Sequence, residues 1–188
     1  MVFSAISKPV SAAMLAAGVL ATSAQATTRV VSFDVLTESA TLNTVFGAGD
    51  SLRLNTFVSD EVGALNQQLT FTVGAGVGSF IGRAAWEIST AAGPGPRLIG
   101  VNIDVFDAAN ALVGSDGGVA VANGFATSTL GAAIGPGTYT VKATGTGVRE
   151  SSLDLTLSFI AAVPEPETYA LMLAGLVMVG LLSARRRA

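Results

Sequence analysis

Cysteine and histidine are both absent from this 188-residue sequence. Their absence removes the Ser-His-Asp triad, the Cys-His pair and every His/Cys zinc site. It also removes disulfides, which is compatible with an exported domain of this size. Lysine is nearly absent as well. Beyond Lys8 only Lys142 remains, and no Ser-x-x-Lys motif surrounds it, so it reads as a solvated strand residue. Charged residues make up 12% of the chain and aromatic residues 6%. Between positions 27 and 162, six basic side chains stand against eleven acidic ones, a net of −5 with no basic cluster. No nucleic-acid partner is expected from such a surface.

The apolar residues concentrate at the two ends. Residues 1–26 read as a secretory signal peptide. Lys8 supplies the positive start, Val10 to Ala21 the apolar stretch, and Ala24-Gln25-Ala26 the small-x-small pattern that a signal peptidase accepts. Cleavage is expected after Ala26, making Thr27 the first mature residue. Residues 163–188 form a second module. Pro164-Glu165-Pro166 forces an extended, exposed segment. The 17 residues from Thr168 to Ala184 carry no charge and would reach roughly 25 Å as a helix, near the lower limit for a bilayer. Arg185, Arg186 and Arg187 then mark a cytoplasmic end.

In this order, at the extreme C-terminus, these residues resemble the PEP-CTERM sorting signal of Gram-negative bacteria. The resemblance covers the last 26 residues and includes Gly175 and Gly180 within the helix. It implies recognition by an exosortase, a membrane-embedded cysteine peptidase, with cleavage near Pro164-Glu165-Pro166. It further implies export across the inner membrane, transient anchoring by the C-terminal helix, and final delivery to the cell surface or outside it. Proteins of this kind accompany exopolysaccharide and biofilm matrix.

Residues 27–162 are the passenger. Period-two alternation recurs in Arg29–Val35, Leu52–Val58, Leu69–Val73, Phe80–Ser89, Val101–Val105, Val119–Val121, Tyr139–Val141 and Leu153–Phe159. Gly/Pro clusters at 47–50, 93–96, 114–118, 135–137 and 145–147 punctuate them. Only Glu61 to Gln68 leaves a helix open. The fold class expected is all-β, an antiparallel β-sandwich of the jelly-roll kind, flanked by a signal helix and a transmembrane helix. The segment from Gly135 onward reads as a terminal hairpin that turns at 148–151. The core is expected at Leu54, Phe71, Trp86, Val101, Ile103, Val141, Leu155 and Leu157.

Chemistry in the passenger has few carriers. Glu87, Asp104, Asp107 and Asp116 are the carboxylates that paired-acid glycoside chemistry would draw on, and nothing in their spacing pairs them. Asp104, Asp107 and Asp116, with Asn110, could offer oxygen ligands to calcium, although their spacing matches no EF-hand, and soluble loop residues are the plainer reading. Gly74-Ala75-Gly76-Val77-Gly78 ends in Ser79 and so fails the dinucleotide fingerprint. Trp86 could stack on a sugar, but beside Ile88 on a strand it reads as core. No cofactor is expected and no enzyme activity. Two functions stay open: a non-catalytic surface or matrix protein acting by adhesion, or a carbohydrate-binding module for exopolysaccharide, with or without help from calcium. The expected partners are signal peptidase, an exosortase, the membrane and exopolysaccharide.

Overall fold

The computed structural model describes residues 25–59, 61–88, 97–163 and 166–185, with side chains at 166–169, 181, 182 and 184 outside the description. The expected signal helix lies outside these residues, apart from its last two positions. Eleven strands and one helix follow in order: β1 Thr28–Phe33, β2 Thr37–Phe46, β3 Ser51–Val58, β4 Gly63–Val73, β5 Val77–Glu87, β6 Leu98–Asp107, β7 Leu112–Ser115, β8 Gly117–Ala122, β9 Phe125–Ala133, β10 Gly137–Gly147, β11 Ser151–Ala161 and α1 Pro166–Arg185. They build a six-stranded sheet, β1-β3-β11-β5-β9-β8, and a five-stranded sheet, β2-β4-β10-β6-β7. We refer to these as the first and second sheets. The connections from β3 to β6, and from β9 to β11, each pass from one sheet to the other. That is jelly-roll wiring.

The alternation that predicted the strands sets their faces. Leu52, Leu54 and Val58 of β3 point inward, as do Leu65, Leu69, Phe71 and Val73 of β4 and Leu153, Leu155, Leu157 and Phe159 of β11. All eight residues expected in the core are buried, Trp86 among them at 4% exposure, so its ring is unavailable for stacking on a sugar. Four rings gather at one end of the core. Phe46 and Phe159 lie 5.0 Å apart, Phe71 and Phe159 5.6 Å, and Tyr139 stacks on Phe71 at 6.1 Å.

Three expectations are corrected. First, the sandwich is not wholly antiparallel: β1 pairs parallel with β3, and β2 with β4. The chain spirals between the sheets, so β1, β3 and β5 run in one sense. β11 inserts antiparallel between β3 and β5, but nothing separates β1 from β3. Second, β10 and β11 form no hairpin. β10 pairs with β4 and β6, β11 with β3 and β5, and residues 148–150 carry the chain across the sandwich. Third, the stretch Glu61 to Gln68, which the sequence leaves open to a helix, is strand from residue 63, since Leu65, Gln67 and Leu69 alternate inward.

Four polar residues are buried among those described: Thr56, Gln67, Ser128 and Ser151. Gln67, 0% exposed, accepts from the Thr56 hydroxyl at 2.6 Å and donates through Nε2 to the Val35 carbonyl at 2.8 Å. It thereby ties β3, β4 and the corner between β1 and β2, where the Leu36 amide donates to Glu61 Oε2 at 2.7 Å. Gln67→Met keeps the volume but orphans a buried hydroxyl and a carbonyl. We expect it to destabilise the passenger by about 1–3 kcal/mol. Adding Thr56→Val should return part of that loss, because one orphan disappears. Urea unfolding of the two variants checks this, and a single-variant loss within a few tenths of a kcal/mol (~0.3) would contradict it.

Candidate functional site

The described residues that border the two expected processing points are neighbours on the sandwich: Asp50 bonds both Thr27 and Phe159, and Phe159 lies three residues before Ala162. At the C-terminal side, the Ala162 amide donates to Gly76 O at 2.8 Å, which pins the chain just before the tail. Gly78 makes room for that exit: a Cβ there would lie 2.6 Å from the Ala162 Cα. α1 then begins at Pro166, the position where a missing N–H costs a helix nothing. Arg185 occupies its last turn, where a cation complements the helix dipole. Leu171, Met172, Leu173, Leu176, Val177, Met178 and Val179 are all more than half exposed, on every side of the helix, so none of the described residues covers this apolar surface. Among the described residues no helix is long and apolar enough to cross a membrane, so the expected transmembrane span is present only as a helix at the expected place. Pro164, Glu165, Arg186 and Arg187 lie outside the described residues.

At the N-terminal side, Ala26 is exposed and Ala24 lies outside the description. The Thr27 amide and hydroxyl both donate to Asp50 Oδ1, at 2.7 and 2.9 Å, and the Gly47 amide donates to Oδ2 at 2.7 Å. Partial burial pushes the Asp50 carboxyl up. The hydrogen bonds from Thr27 and Gly47, with the charge of Arg29, outweigh it and hold the group below its ordinary value. A depressed carboxyl stabilises the fold above its unfolded pKa of about 3.9 and loses that contribution as pH falls through the folded value. Asp50→Asn should therefore lower the urea midpoint at pH 7. At pH 2–3 its midpoint should approach that of the unaltered protein. A deficit of equal size at both pH values would contradict the assignment.

The aspartates considered for calcium turn out to hold one hairpin together. Asp107 Oδ1 accepts from the amides of Ala109 and Ala111 at 2.9 and 2.8 Å, closing a turn in which Asn110 has φ 61°. Asp116 Oδ1 accepts from the Ile103 amide at 2.9 Å. Asp104 takes Asn102 Nδ2 and the Ser115 hydroxyl, both at 2.6 Å. Among the described residues no three acidic groups converge into a metal cage. Glu87 lies on β5 in the first sheet, apart from these three, and pairs with Arg97 at 3.3 Å; Arg97 also reaches Glu150 at 3.1 Å. The carboxylates weighed for paired-acid chemistry are thus not brought together as a set.

Sequence reading missed the outer face of the first sheet. Because β3, β11, β5 and β9 are adjacent, Asn55, Asp154, Ala85 and Thr127 form one cross-sheet row. A concavity of about 350 Å³ opens here, lined by Arg53, Asn55, Ala85, Phe125, Ser152 and Asp154. A second, of about 510 Å³, adjoins it over Ile81, Arg83, Thr129 and Thr156. Arg53 and Asp154 form a two-point ion pair, with Nε to Oδ1 at 3.0 Å. Asn55 Oδ1 is shielded from solvent and lacks a hydrogen-bond partner. Only pairing across strands brings these residues together, and no local spacing announces it.

The molecule is therefore a two-sheet β-sandwich followed directly by a short helical tail. Residues 162–187 match the family model of the PEP-CTERM protein-sorting motif, and the chain carries that motif. The motif marks an exported protein that an exosortase processes at the membrane and sorts to the cell surface. No curated protein matches the chain at a significant level. Among solved structures, the pre-peptidase C-terminal domain of a collagenase from Bacillus anthracis aligns over 68% of this chain and 99% of its own, at 13% identity and a TM-score of 0.34. A likeness that weak carries no argument about this chain.

Proposed function

We propose that this protein is a non-catalytic surface or matrix component whose sandwich is the cargo and whose tail is a transient membrane anchor and address. The observation that carries the reading is position: the sorting motif starts at residue 162, one residue beyond the last strand. Nothing of the sandwich is lost when the tail is removed. The bare apolar α1 has no protein partner among the described residues, which suits a segment that meets lipid before cleavage. The non-catalytic role is supported by the lack of histidine and cysteine and by carboxylates engaged in turns and ion pairs. The test is expression in hosts with and without an exosortase. With the peptidase, the passenger should be open to added protease on intact cells or free of the membrane. Without it, the full chain should stay in the inner-membrane fraction. Equal release from both hosts would refute the role of the tail.

A second reading, binding of exopolysaccharide, is favoured by the outer face of the first sheet. Sugars are recognised by planar polar groups beside an aromatic ring, and Arg53, Asn55 and Asp154 lie beside the half-exposed Phe125. Under this reading, Phe125→Ala with Asp154→Ala abolishes retention on the host polysaccharide, and a chelator leaves retention unchanged. Wild-type passage through such a column without delay would reject it.

A further inference from the structure

We propose that signal removal arms a clasp: cleavage at Ala26–Thr27 leaves an α-ammonium on Thr27, and the Asp50 carboxylate captures it as an ion pair that fastens β1 to the sandwich. The proposal rests on the cleavage position read above. Hydrolysis consumes one water, breaks the Ala26–Thr27 amide, and leaves a carboxylate on Ala26 of the departing leader and a protonated amine on Thr27. One neutral N–H donor is thereby replaced by a charged group with three.

The receiving geometry is already built. The Thr27 nitrogen stands 2.7 Å from Asp50 Oδ1, the distance of a charge-assisted hydrogen bond, with the Thr27 hydroxyl on the same oxygen at 2.9 Å. The Thr27 carbonyl accepts from the Ser51 amide at 2.8 Å, so the residue is held on both sides of its Cα. The Gly47 amide fixes the second carboxylate oxygen, and Asp50 O accepts from the Phe159 amide at 3.0 Å. The clasp is therefore tied to β11, three residues before the Ala162 exit. Arg29 is the charged side chain that acts on Asp50 from β1, and the facing stretch of β11, Ser158 to Ala161, contains no ionisable group. Ala26, the residue before the scissile bond, stands against the same turn, its Cβ 3.7 Å from where a Gly49 Cβ would be. β1 is an edge strand with one neighbour, so its attachment depends on such end contacts more than that of an inner strand.

The experiment uses mature protein exported by a competent host and carrying Lys142→Arg, which leaves the N-terminus as the only amine. N-terminal sequencing, urea midpoints before and after acetylation, and NMR titration of the α-amine are run on the same preparation. We expect Thr27 first, a lower midpoint after acetylation, and an α-amine pKa above the ordinary range of about 7.7–8.0. While Asp50 stays ionised, the gain from the free amine should be complete below about pH 7.7 and lost as pH rises through the folded value, since a raised pKa stabilises only while the group is protonated. In Asp50→Asn, acetylation should leave the midpoint unmoved and the pKa should return to the ordinary range. A first residue other than Thr27 overturns the proposal through the cleavage position, leaving the sorting role of the tail intact. Thr27 first, with an unmoved midpoint or an ordinary pKa in the Lys142→Arg protein, overturns the clasp itself.

Discussion

Phe71→Ala is expected to destabilise the passenger by about 3–5 kcal/mol, the range for deleting a buried ring. Phe71 is 1% exposed and sits between Phe159 at 5.6 Å, Tyr139 at 6.1 Å and the edge of Phe46 at 6.1 Å. These neighbours come from β2, β10 and β11, so the ring joins the two sheets and also holds the edge strand β2. They cannot close the hole by a small shift. Phe46 and Phe159 are themselves buried, and Tyr139 is held by its hydroxyl, which donates to the Gly135 carbonyl at 2.9 Å. Domains of this size have about 5–15 kcal/mol in all, so the variant should lose a large share of its stability. Equilibrium urea unfolding followed by far-UV circular dichroism measures the loss. A change under about 1 kcal/mol would mean that the ring cluster is not the centre of the core.

Much of this core was legible because strong apolar residues alternate with polar ones. Leu153, Leu155, Leu157 and Phe159 announce β11 without help, and the two-sheet architecture follows from many such runs. β9 was missed for the complementary reason. Its inward residues are Ala126, Ser128 and Leu130, and two of these three carry little hydrophobic signal. Yet its start was marked: Asn123-Gly124 is a two-residue hairpin turn with φ of 52° and 83°, the left-handed pair that Asn-Gly supplies most easily. β2 was obscured by Glu38 and by the half-buried Thr44, which occupy inward positions on an edge strand. The parallel pairs and the β10–β11 crossover were not legible, because alternation fixes which face is buried but not which sheet a strand joins. Gln67 reads as a surface residue until Thr56 and Val35 are brought to it from distant positions. The candidate site divides the same way. The sorting tail is a contiguous motif and could be read directly, whereas Asn55, Phe125 and Asp154 meet only through pairing across strands.

The second large effect concerns that tail. Glu165→Ala should abolish processing and leave full-length protein in the membrane, because the one charged group between the two prolines is what a peptidase specific for this motif can recognise besides the backbone. Changing Arg185, Arg186 and Arg187 together to Ser should act at a different step. Each arginine opposes passage through the bilayer centre by about 2.5–3.5 kcal/mol, and without them no charge of that cost holds the tail back. The triple variant should then appear outside the inner membrane uncleaved. Cell fractionation with an antibody to the passenger separates the two outcomes. Cleavage of the Glu165 variant at the wild-type rate would show that the motif is read elsewhere. Neither variant should change the passenger's urea midpoint, since the last strand ends at Ala161 and its exit is pinned at Ala162.

The sorting account is tested most directly by the intact mass of the protein recovered from the surface or medium of an exosortase-bearing host. The account predicts a species that begins at Thr27, ends near Pro164-Glu165-Pro166 and lacks Arg185, Arg186 and Arg187. A recovered mass that still includes the residues through Ala188 would contradict it and make α1 a lasting part of the mature protein.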